Sequence, residues 1–402
     1  MEYKPLATLF HMSSSTNRKA EVEAELARRL EADSTFRTGL TTPAGELFVA
    51  MPRELTTLME SILRLERRVS ALLHALPPIA HGALARSLIV DEIVSTNELE
   101  GVHSTRAQIA RLLENSPKTG AHDRFREFTK LYLELSEDQR VEPTGAEDIR
   151  RMYDRVMDGE ALEGIEPDGR LFHAGGVVVV GAGGKILHEG VQPEETIIEA
   201  LEQTIEFATS PDIPELIGAI AGHYMFEYVH PFYDGNGRTG RYLLALHLSS
   251  PLSLATALSL SRVIAENRAR YYRAFREAED PLNHGELTFF VMVMMELIRT
   301  AQEELVENLT EKARRLEDAR AAIMDMANSR TLGEKEAEAL FHPAQASIFG
   351  AFPDTTLEEI AINLEVGAQM ARKYVGRLET AGLVKRVGTR PLRFALATKP
   401  YQ

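Results

Sequence analysis

The apolar residues of the first half of the chain recur at helical spacing. Between residues 54 and 76 they follow one another at steps of three and four, on one stripe of a long helix: Leu58, Ile62, Leu65, Val69 and Leu72. Pro77 and Pro78 end this helix because proline cannot continue it. Helical patterns resume at residues 84–99, 108–114 and 123–135, so the first half is predicted to be a helical assembly.

A run of β-branched residues interrupts the helical patterns near the middle of the chain. Four valines are followed by a glycine-rich turn and two more apolar residues: Val177, Val178, Val179, Val180, residues 181–184, Ile186 and Leu187. This order predicts a β-hairpin over residues 175–187. No GxGxxG pattern or Lys-Ser/Thr ending accompanies the valines, and no helix follows directly, so the sequence disfavours a nucleotide-binding fingerprint here.

Helical patterns return over residues 212–229, 243–248, 261–278 and 287–316, so the central part is predicted to be all-helical with one hairpin. Near the C-terminus, residues 355–364 and 367–381 are predicted as two helices and residues 383–396 as two short strands. That order is typical of a winged helix. The predicted fold class is mainly α: a helical core with one β-hairpin, followed by a C-terminal winged helix-turn-helix domain.

The composition of the chain indicates its cellular compartment. The 402 residues, 44% of them hydrophobic, include no cysteine, which excludes disulfides, zinc fingers and thiolate metal sites and fits a reducing cytoplasm. No secretory signal opens the sequence, and the longest apolar stretch is about half of the roughly 20 residues that span a membrane. We therefore expect a cytoplasmic protein without membrane insertion. The net charge of −15 argues against nucleic-acid binding along the whole chain but allows a local basic module.

Residues 230–241 read HPFYDGNGRTGR and concentrate the reactive groups of the chain. Pro231 ends the preceding helix and leaves His230 at its C-terminal edge, while Gly235 and Gly237 let the backbone turn tightly. A helix is predicted to begin near Gly237. The free N–H groups at such a start form a natural binding site for phosphate oxygens.

Charged side chains accompany this predicted phosphate site. Arg238 and Arg241 lie three residues apart and share a helix face beside it. Asp234 offers a carboxylate to Mg²⁺, which prefers one or two carboxylates together with phosphate oxygens and water. Histidine has the pKa range to take a proton from an attacking hydroxyl, and His230 is placed to do so. Together these residues are the parts of a phosphate-transfer site.

The segment resembles the signature of the Fic family, HPFx[D/E]GNGRxxR, and fills every defining position. The resemblance implies the helical Fic fold, with Mg-ATP bound at the motif and its α-phosphate attacked by a protein Ser, Thr or Tyr hydroxyl. By position it implies these roles: His230 as general base, Asp234 as magnesium ligand, Asn236 with the Gly235 and Gly237 amides as anion cradle, and Arg238 and Arg241 as ligands of the outer phosphates.

An upstream segment, STNELEG at residues 95–101, places Thr96 and Glu100 four residues apart on one helix face, and Gly101 can end that helix. The segment resembles the Fic inhibitory motif, [S/T]xxxE[G/N], of the class whose inhibitory helix precedes the core. The resemblance implies that Glu100 pairs with Arg241 and occupies the region that the ATP γ-phosphate needs. A plain exposed helical glutamate is the alternative.

The resemblance also bears on the nucleotide and the target. A branch of the family that phosphorylates has a lysine near the position of Gly237, so this glycine favours AMP transfer. The family's adenine pocket uses a tyrosine, matched by Tyr272, and an asparagine, for which Asn283 fits the spacing poorly. Transfer of another nucleotide stays open. Val177 to Val180 correspond to the family's flap, which holds the target by strand pairing, with a purely structural hairpin as the alternative.

Three domains are predicted: an N-terminal helical region over residues 1–115 that contains the inhibitory helix at about residues 90–101, a Fic core over 116–320 and a winged helix over 340–402. The last is basic: residues 366–402 contain one acid, Glu379, and these cations: Arg372, Lys373, Arg377, Lys385, Arg386, Arg390, Arg393 and Lys399. A basic helix and wing fit DNA, but winged helices also dock proteins or dimerise. The sequence does not decide between these uses.

The predicted function is protein adenylyl transfer from Mg-ATP, autoinhibited by Glu100. The acceptor is a protein hydroxyl, on this chain or another, and the resemblance implies a homodimer. Two alternatives remain: a DNA-binding transcriptional regulator whose core only senses nucleotide, against which an intact His230 argues, and removal of AMP from a target by the same site.

Overall fold

The computed structural model describes residues 3–114, 123–180, 182–184, 186–329 and 331–397 and is mainly helical. The N-terminal part contains α1 (Leu6–Met12), α2 (Arg18–Leu30), β1 (Thr35–Thr42), β2 (Gly45–Ala50), α3 (Arg53–His74) and α4 (Pro78–Leu99). The middle contains α5 (Arg106–Glu114), α6 (Arg126–Ser136), α7 (Ala146–Val156), β3 (Val178–Val180), β4 (Ile186–Glu189), α8 (Glu194–Thr209), α9 (Glu215–Val229) and α10 (Asn236–Leu248).

The chain continues through α11 (Leu254–Ala257), α12 (Leu260–Glu266), α13 (Arg268–Ala278) and the long α14 (Thr288–Asn328). The C-terminal part contains α15 (Glu334–Phe349), β5 (Asp354–Thr356), α16 (Leu357–Asn363), α17 (Ala368–Thr380), β6 (Val384–Thr389) and β7 (Leu392–Leu396). In the described residues, no helix combines the length and the hydrophobicity of a membrane-spanning segment.

The long helix predicted at residues 54–76 is present as α3. Its apolar stripe is buried at Leu58, Ile62 and Val69 and packs against α14. Pro77 caps the next helix and Pro78 is its first residue, where a missing N–H breaks no intrahelical hydrogen bond. The two prolines therefore separate α3 from α4, as predicted.

The sequence analysis missed a second hairpin, formed by the antiparallel strands β1 and β2. Threonines and a glycine separate the apolar residues of β1, so the strand lacks the continuous run that marked the valine hairpin. Buried and exposed residues alternate in its second half, where Thr38, Leu40 and Thr42 face inward. The prediction of a helical assembly in the first half therefore omitted this hairpin, in which the polar residues Thr38 and Thr42 occupy inward positions of β1.

A buried ion pair holds the N-terminal segment on the central helices. Arg29 of α2 and Glu286, just before α14, are joined at 2.6 Å, and both side chains are at most 2% exposed. The hydroxyl of Tyr3 donates to the same carboxylate at 2.5 Å, and Phe48 of β2 pairs with the backbone beside it. These contacts join the N-terminal segment to the residues just before α14.

Replacing Glu286 with glutamine should destabilise the protein by about 1.5–3 kcal/mol, because the buried Arg29 guanidinium would keep only the partly exposed carboxylate of Glu25 as its countercharge. Denaturant unfolding of the variant measures this loss. Glu46→Gln is the matched control: its partner Arg37 is 57% exposed, and exposed pairs contribute about 0–1 kcal/mol. Equal losses in the two variants would contradict the structural role of the buried pair.

Two hydrophobic clusters form the interior. The larger surrounds α9 and α10, which are buried on nearly all sides, so the segment between them lies within the core. The smaller joins the start of α4 and the second half of α14 to α15 and the C-terminal elements. Helix α4 therefore has one end in the C-terminal cluster and the other beside α10.

The C-terminal part contains the predicted order of two helices and two strands, in α16, α17, β6 and β7. A third strand, β5, completes an antiparallel sheet of order β5-β7-β6. The sequence did not indicate β5, which is only three residues long. The assignment as a winged helix and the three-domain division both stay predictions.

Candidate active site

Helix α9 ends at His230, whose backbone adopts the left-handed conformation with φ of 53°. Its N–H donates to the Phe226 carbonyl at 3.0 Å, and Pro231 prevents a further turn. The chain turns again at Gly235, where φ is +83° and a Cβ atom would lie 2.5 Å from the sulfur of Met157. Helix α10 then begins at Asn236, close to the predicted start.

Asn236 closes the loop between the two helices. Its Oδ1 accepts from the Phe232 N–H at 3.0 Å and its Nδ2 donates to the Phe232 carbonyl at 2.6 Å. Phe232 is fully buried and stacks on Tyr153 with ring centroids 3.6 Å apart. The Asn236 side chain thus shapes the loop, which leaves anion binding to the backbone amides at the start of α10.

His230 is placed to act as a base. Burial, together with the nearby His188, lowers its pKa to about 4, so its ring is neutral at neutral pH. Nδ1 lies 3.3 Å from the Glu227 carbonyl, which can only accept. The ring proton therefore belongs on Nδ1, and Nε2 is the nitrogen free to take a proton.

The structure brings the predicted inhibitory residues to the motif. Arg241 Nε donates to Thr96 Oγ1 at 2.7 Å, and its Nη2 donates to Glu100 Oε1 at 2.5 Å. Burial alone would raise the pKa of Glu100, but Arg241 outweighs burial and keeps that pKa below its ordinary value. Glu100 caps α4, and Gly101 follows with φ of +71°, which completes the helix end that the sequence predicted.

The carboxylate of Glu100 also lies over the first turn of α10. A Cβ atom built on Gly237 would clash with this carboxylate and would lie 3.0 Å from Nη1 of Arg241. Gly237 therefore keeps the helix start open to an anion, and Glu100 is the anionic group that lies there in this structure.

The Arg238 side chain pairs with a different carboxylate from the one that binds Arg241. It is 1% exposed, its Nη1 donates to Glu160 Oε1 at 2.7 Å, and its Nε has no partner among the described residues. Glu160 also accepts from Arg124 at 2.8 Å. Glu160 was not predicted, because it precedes Arg238 by 78 residues and lies outside any recognised pattern.

A second carboxylate that the sequence did not single out is Glu227, one turn before His230. Burial raises its pKa to about 8, and its Oε1 has no hydrogen-bond partner within the described part of the chain. At neutral pH this group is therefore mostly protonated. An acidic residue inside the apolar helix α9 is the sequence signal that would have found it.

Asp234 is exposed, and its Oδ1 accepts from the Gly235 N–H at 2.7 Å. Among the described residues, no group of three or more metal-binding side chains occurs. An exposed single carboxylate beside a phosphate-binding helix start fits Mg²⁺, which takes most of its ligands from phosphate and water. The same donor set does not fit a metal that requires a full protein cage.

The two tyrosines of α13 differ in their surroundings. Tyr272 is half-buried, and its hydroxyl lies 3.5 Å from the Leu99 carbonyl at the end of α4. Tyr271 is fully buried and pairs with His223 at 2.8 Å. Asn283 donates to Glu277 and accepts from Ala7, so it is not available to a nucleotide base. Only Tyr272 of these candidates faces the site.

The valine hairpin lies against the end of α9. Val178 and Val179 pair with Glu189 and His188, and the Val191 N–H donates to the Val229 carbonyl at 3.0 Å. Val177 precedes the strand and is buried, while Val178 and Val180 are about half exposed. Two residues of the predicted hairpin, Gly181 and Lys185, lie outside the described residues. The hairpin, named the flap below (residues 177–191), therefore presents apolar edge positions beside His230.

The start of α10 thus lies one short loop after His230, with Arg241 and Glu100 beside it. Residues 143–248 match the sequence profile of the Fic/DOC family, and this part of the chain is a Fic/DOC family domain. A Fic family protein from Desulfovibrio desulfuricans G20 has a similar structure, with a TM-score of 0.54 and 19% identity over 86% of this chain and 97% of that one.

Curated relatives are similar over shorter stretches. The protein adenylyltransferase Fic of Drosophila ananassae is 26% identical over 207 residues, which are 50% of this chain and 38% of that protein. A probable protein adenylyltransferase of Aquifex aeolicus is 42% identical over 62 residues, 15% of this chain and 17% of that one. The matches thus span well under half the length of these relatives.

Proposed function

We propose that this chain transfers AMP from ATP to a protein hydroxyl and that Glu100 inhibits the transfer. The observation that carries the proposal is the contact of Glu100 with Arg241 over the start of α10, in the same loop and helix start as His230. A base, an anion site and a buried arginine within one loop and helix start are what transfer at a phosphorus atom requires.

In the reaction, the target hydroxyl oxygen attacks the α-phosphorus of ATP. Its proton passes to Nε2 of His230, and the bond from the α-phosphorus to the oxygen that bridges it to the β-phosphorus breaks. Pyrophosphate leaves with the negative charge. The amides at the start of α10 and the Arg241 guanidinium stabilise phosphate charge, and the flap pairs with the target segment next to His230.

Asp234 would hold Mg²⁺ at the exposed edge of the loop. When bound, the ion would neutralise charge on the bridging phosphate oxygens. The Glu100 carboxylate competes with the outer phosphates of ATP in two ways. It accepts the hydrogen bond from Nη2 of Arg241, and it covers Gly237 at the start of α10. ATP would then bind with its outer phosphates displaced, and transfer would stay slow until Glu100 leaves.

The test compares ATP labelled at the α-phosphorus with ATP labelled at the γ-phosphorus, using the Glu100→Gly variant and either its own chain or lysate protein as acceptor. We expect protein-bound label from the α-labelled nucleotide only. Label from the γ-phosphate alone would indicate phosphorylation instead. No transfer from ATP, CTP, GTP or UTP would contradict nucleotidyl transfer.

A second activity, DNA binding by the C-terminal part, is favoured by one observation. Arg377, Arg386 and Arg393 are neutralised by acidic partners. Four other exposed cations form no ion pair with another described residue: Arg372 and Lys373 on α17, and Lys385 and Arg390 on or beside the β6–β7 hairpin. A helix and a hairpin that present free cations suit a groove and its phosphates.

Full-length Arg372→Glu/Lys373→Glu should bind duplex DNA at least tenfold more weakly than the unchanged chain, since each lost phosphate contact and added acid weakens binding. Fluorescence anisotropy across a salt series measures this. Arg377→Glu, which removes a cation already paired with Glu336, is the matched control and should have a smaller effect. Absence of binding by the unchanged chain at low salt would favour a protein-docking module.

A further inference from the structure

The ring of His188, in β4 of the flap, contacts two oxygens that can only accept hydrogen bonds. Nε2 lies 2.7 Å from the carbonyl oxygen of Tyr228, and Nδ1 lies 3.1 Å from a carboxylate oxygen of Glu279. Tyr228 is in the last turn of α9, two residues before His230, and Glu279 caps α13. One side chain thus joins the flap to two elements of the site.

Both contacts require a proton on each ring nitrogen. A neutral imidazole has one N–H and leaves the other nitrogen facing an acceptor, whereas the imidazolium donates to both. The His188 side chain is only 10% exposed, so water does not readily replace the missing partner. The flap is therefore fully docked on α9 and α13 when His188 is charged.

A second histidine, just before the flap, also contacts the end of α9. His173 precedes β3, its Nε2 lies 3.1 Å from the carbonyl of His230, and its Nδ1 lies 2.6 Å from the carbonyl of Gly175. An imidazole thus contacts the end of α9 both just before the flap and within it. The contact of His188 differs in one respect, because an acidic side chain takes part and supplies the countercharge.

We propose that His188, paired with Glu279, is a positioning residue that docks the flap on the end of α9 and so sets the distance between a flap-bound target hydroxyl and His230. The inference rests on the proposed AMP transfer for its functional consequence. The docking itself does not depend on it. Glu279 has no part in phosphate binding, since it lies at the far end of α13 from the α10 start.

The docking depends on pH with a definite sign. Burial lowers the pKa of His188, but Glu279 and the Tyr228 carbonyl outweigh burial and raise it. The contact is thus complete below the ordinary histidine pKa and is lost as pH rises through the raised value. In the described residues, the other titratable groups near His188 are Tyr224, Glu227, Tyr228 and His230 of α9 and the adjacent Glu189 of β4. His230 stays neutral over this range, so it cannot cause an alkaline loss.

Hydrogen exchange of the flap in full-length protein tests the docking without any target. After correction for intrinsic exchange rates, protection of residues 177–191 in the unchanged chain should fall roughly tenfold or more as pH rises from about 6 to about 9. In Glu279→Gln the fall should occur at lower pH. In His188→Gln the protection should be low and independent of pH.

The control Glu277→Gln changes an exposed carboxylate of α13, two residues before Glu279, and should show the same pH-dependent protection as the unchanged chain. Identical pH-dependent protection in His188→Gln and the unchanged chain would overturn the proposal. In the Glu100→Gly background, the rate of transfer from α-labelled ATP should fall over the same alkaline range. Adding His188→Gln should remove this dependence of the rate on pH and leave the affinity for ATP unchanged. Absence of all transfer would count against the proposed function, whereas the exchange data alone decide the flap contact.

Discussion

The Glu100→Gly variant should transfer AMP roughly 10- to 100-fold faster than the unchanged chain, because charge-assisted hydrogen bonds of the kind between Glu100 and Arg241 contribute about 1.5–3 kcal/mol. The substitution frees the Arg241 guanidinium and the space over Gly237 for phosphate oxygens. Initial rates of labelling from α-labelled ATP, at equal protein concentration, measure the effect. Glycine suits the end of α4, so the helix itself should persist.

Glu98→Gly is the matched control for this variant. Glu98 is two residues away on the same helix and exposed, so its replacement should leave the transfer rate unchanged. The Glu100→Gly protein should also be less stable without nucleotide, since Arg241 loses a buried countercharge, and Mg-ATP should restore more stability to it than to the unchanged chain. Equal transfer rates in the two glycine variants would contradict the inhibitory role of Glu100.

Replacing His230 in the Glu100→Gly background should lower the transfer rate by about 10²- to 10⁴-fold, the contribution expected of a positioned general base. Binding of ATP should change little, because the phosphate contacts come from the start of α10 and from Arg241. Single-turnover rates and equilibrium nucleotide binding separate these two effects.

Two substitutions at this position exclude a merely structural cause. His230 has a positive φ, which strains alanine, whereas asparagine tolerates that conformation. Both His230→Ala and His230→Asn should be inactive, and His103→Ala, an exposed histidine near the end of α4, should be fully active. Substantial activity in His230→Asn would contradict the proton-accepting role, because an amide cannot accept the proton.

The loop between α9 and α10 was predictable from the sequence because its backbone signals are local. Pro231 ends one helix, Gly235 adopts a conformation that other residues rarely take, and the next helix starts within two residues of the predicted position. The pairing of Glu100 with Arg241 spans 141 residues, and spacing alone predicted only that Thr96 and Glu100 share a helix face. The family resemblance, not helical periodicity, predicted Arg241 as the partner of Glu100.

Contacts created by the tertiary fold could not be predicted in this way. Glu160 meets Arg238, and Glu279 meets His188, because separate elements converge on α9 and α10. Asn283 was suggested by its residue type and approximate spacing, but its side-chain amide is hydrogen-bonded to backbone groups of Glu277 and Ala7 and does not reach the site. The β1–β2 hairpin was missed because threonine is compatible with both a half-buried strand and a polar surface.

The most direct test of the central claim is mass spectrometry of the Glu100→Gly protein and lysate proteins after incubation with Mg-ATP. The account predicts a mass gain of one adenylyl group on a Ser, Thr or Tyr side chain, release of an equal amount of pyrophosphate, and neither product when His230 is also replaced by alanine. Unchanged masses without pyrophosphate, or a gain of phosphate alone, would contradict AMP transfer by this chain.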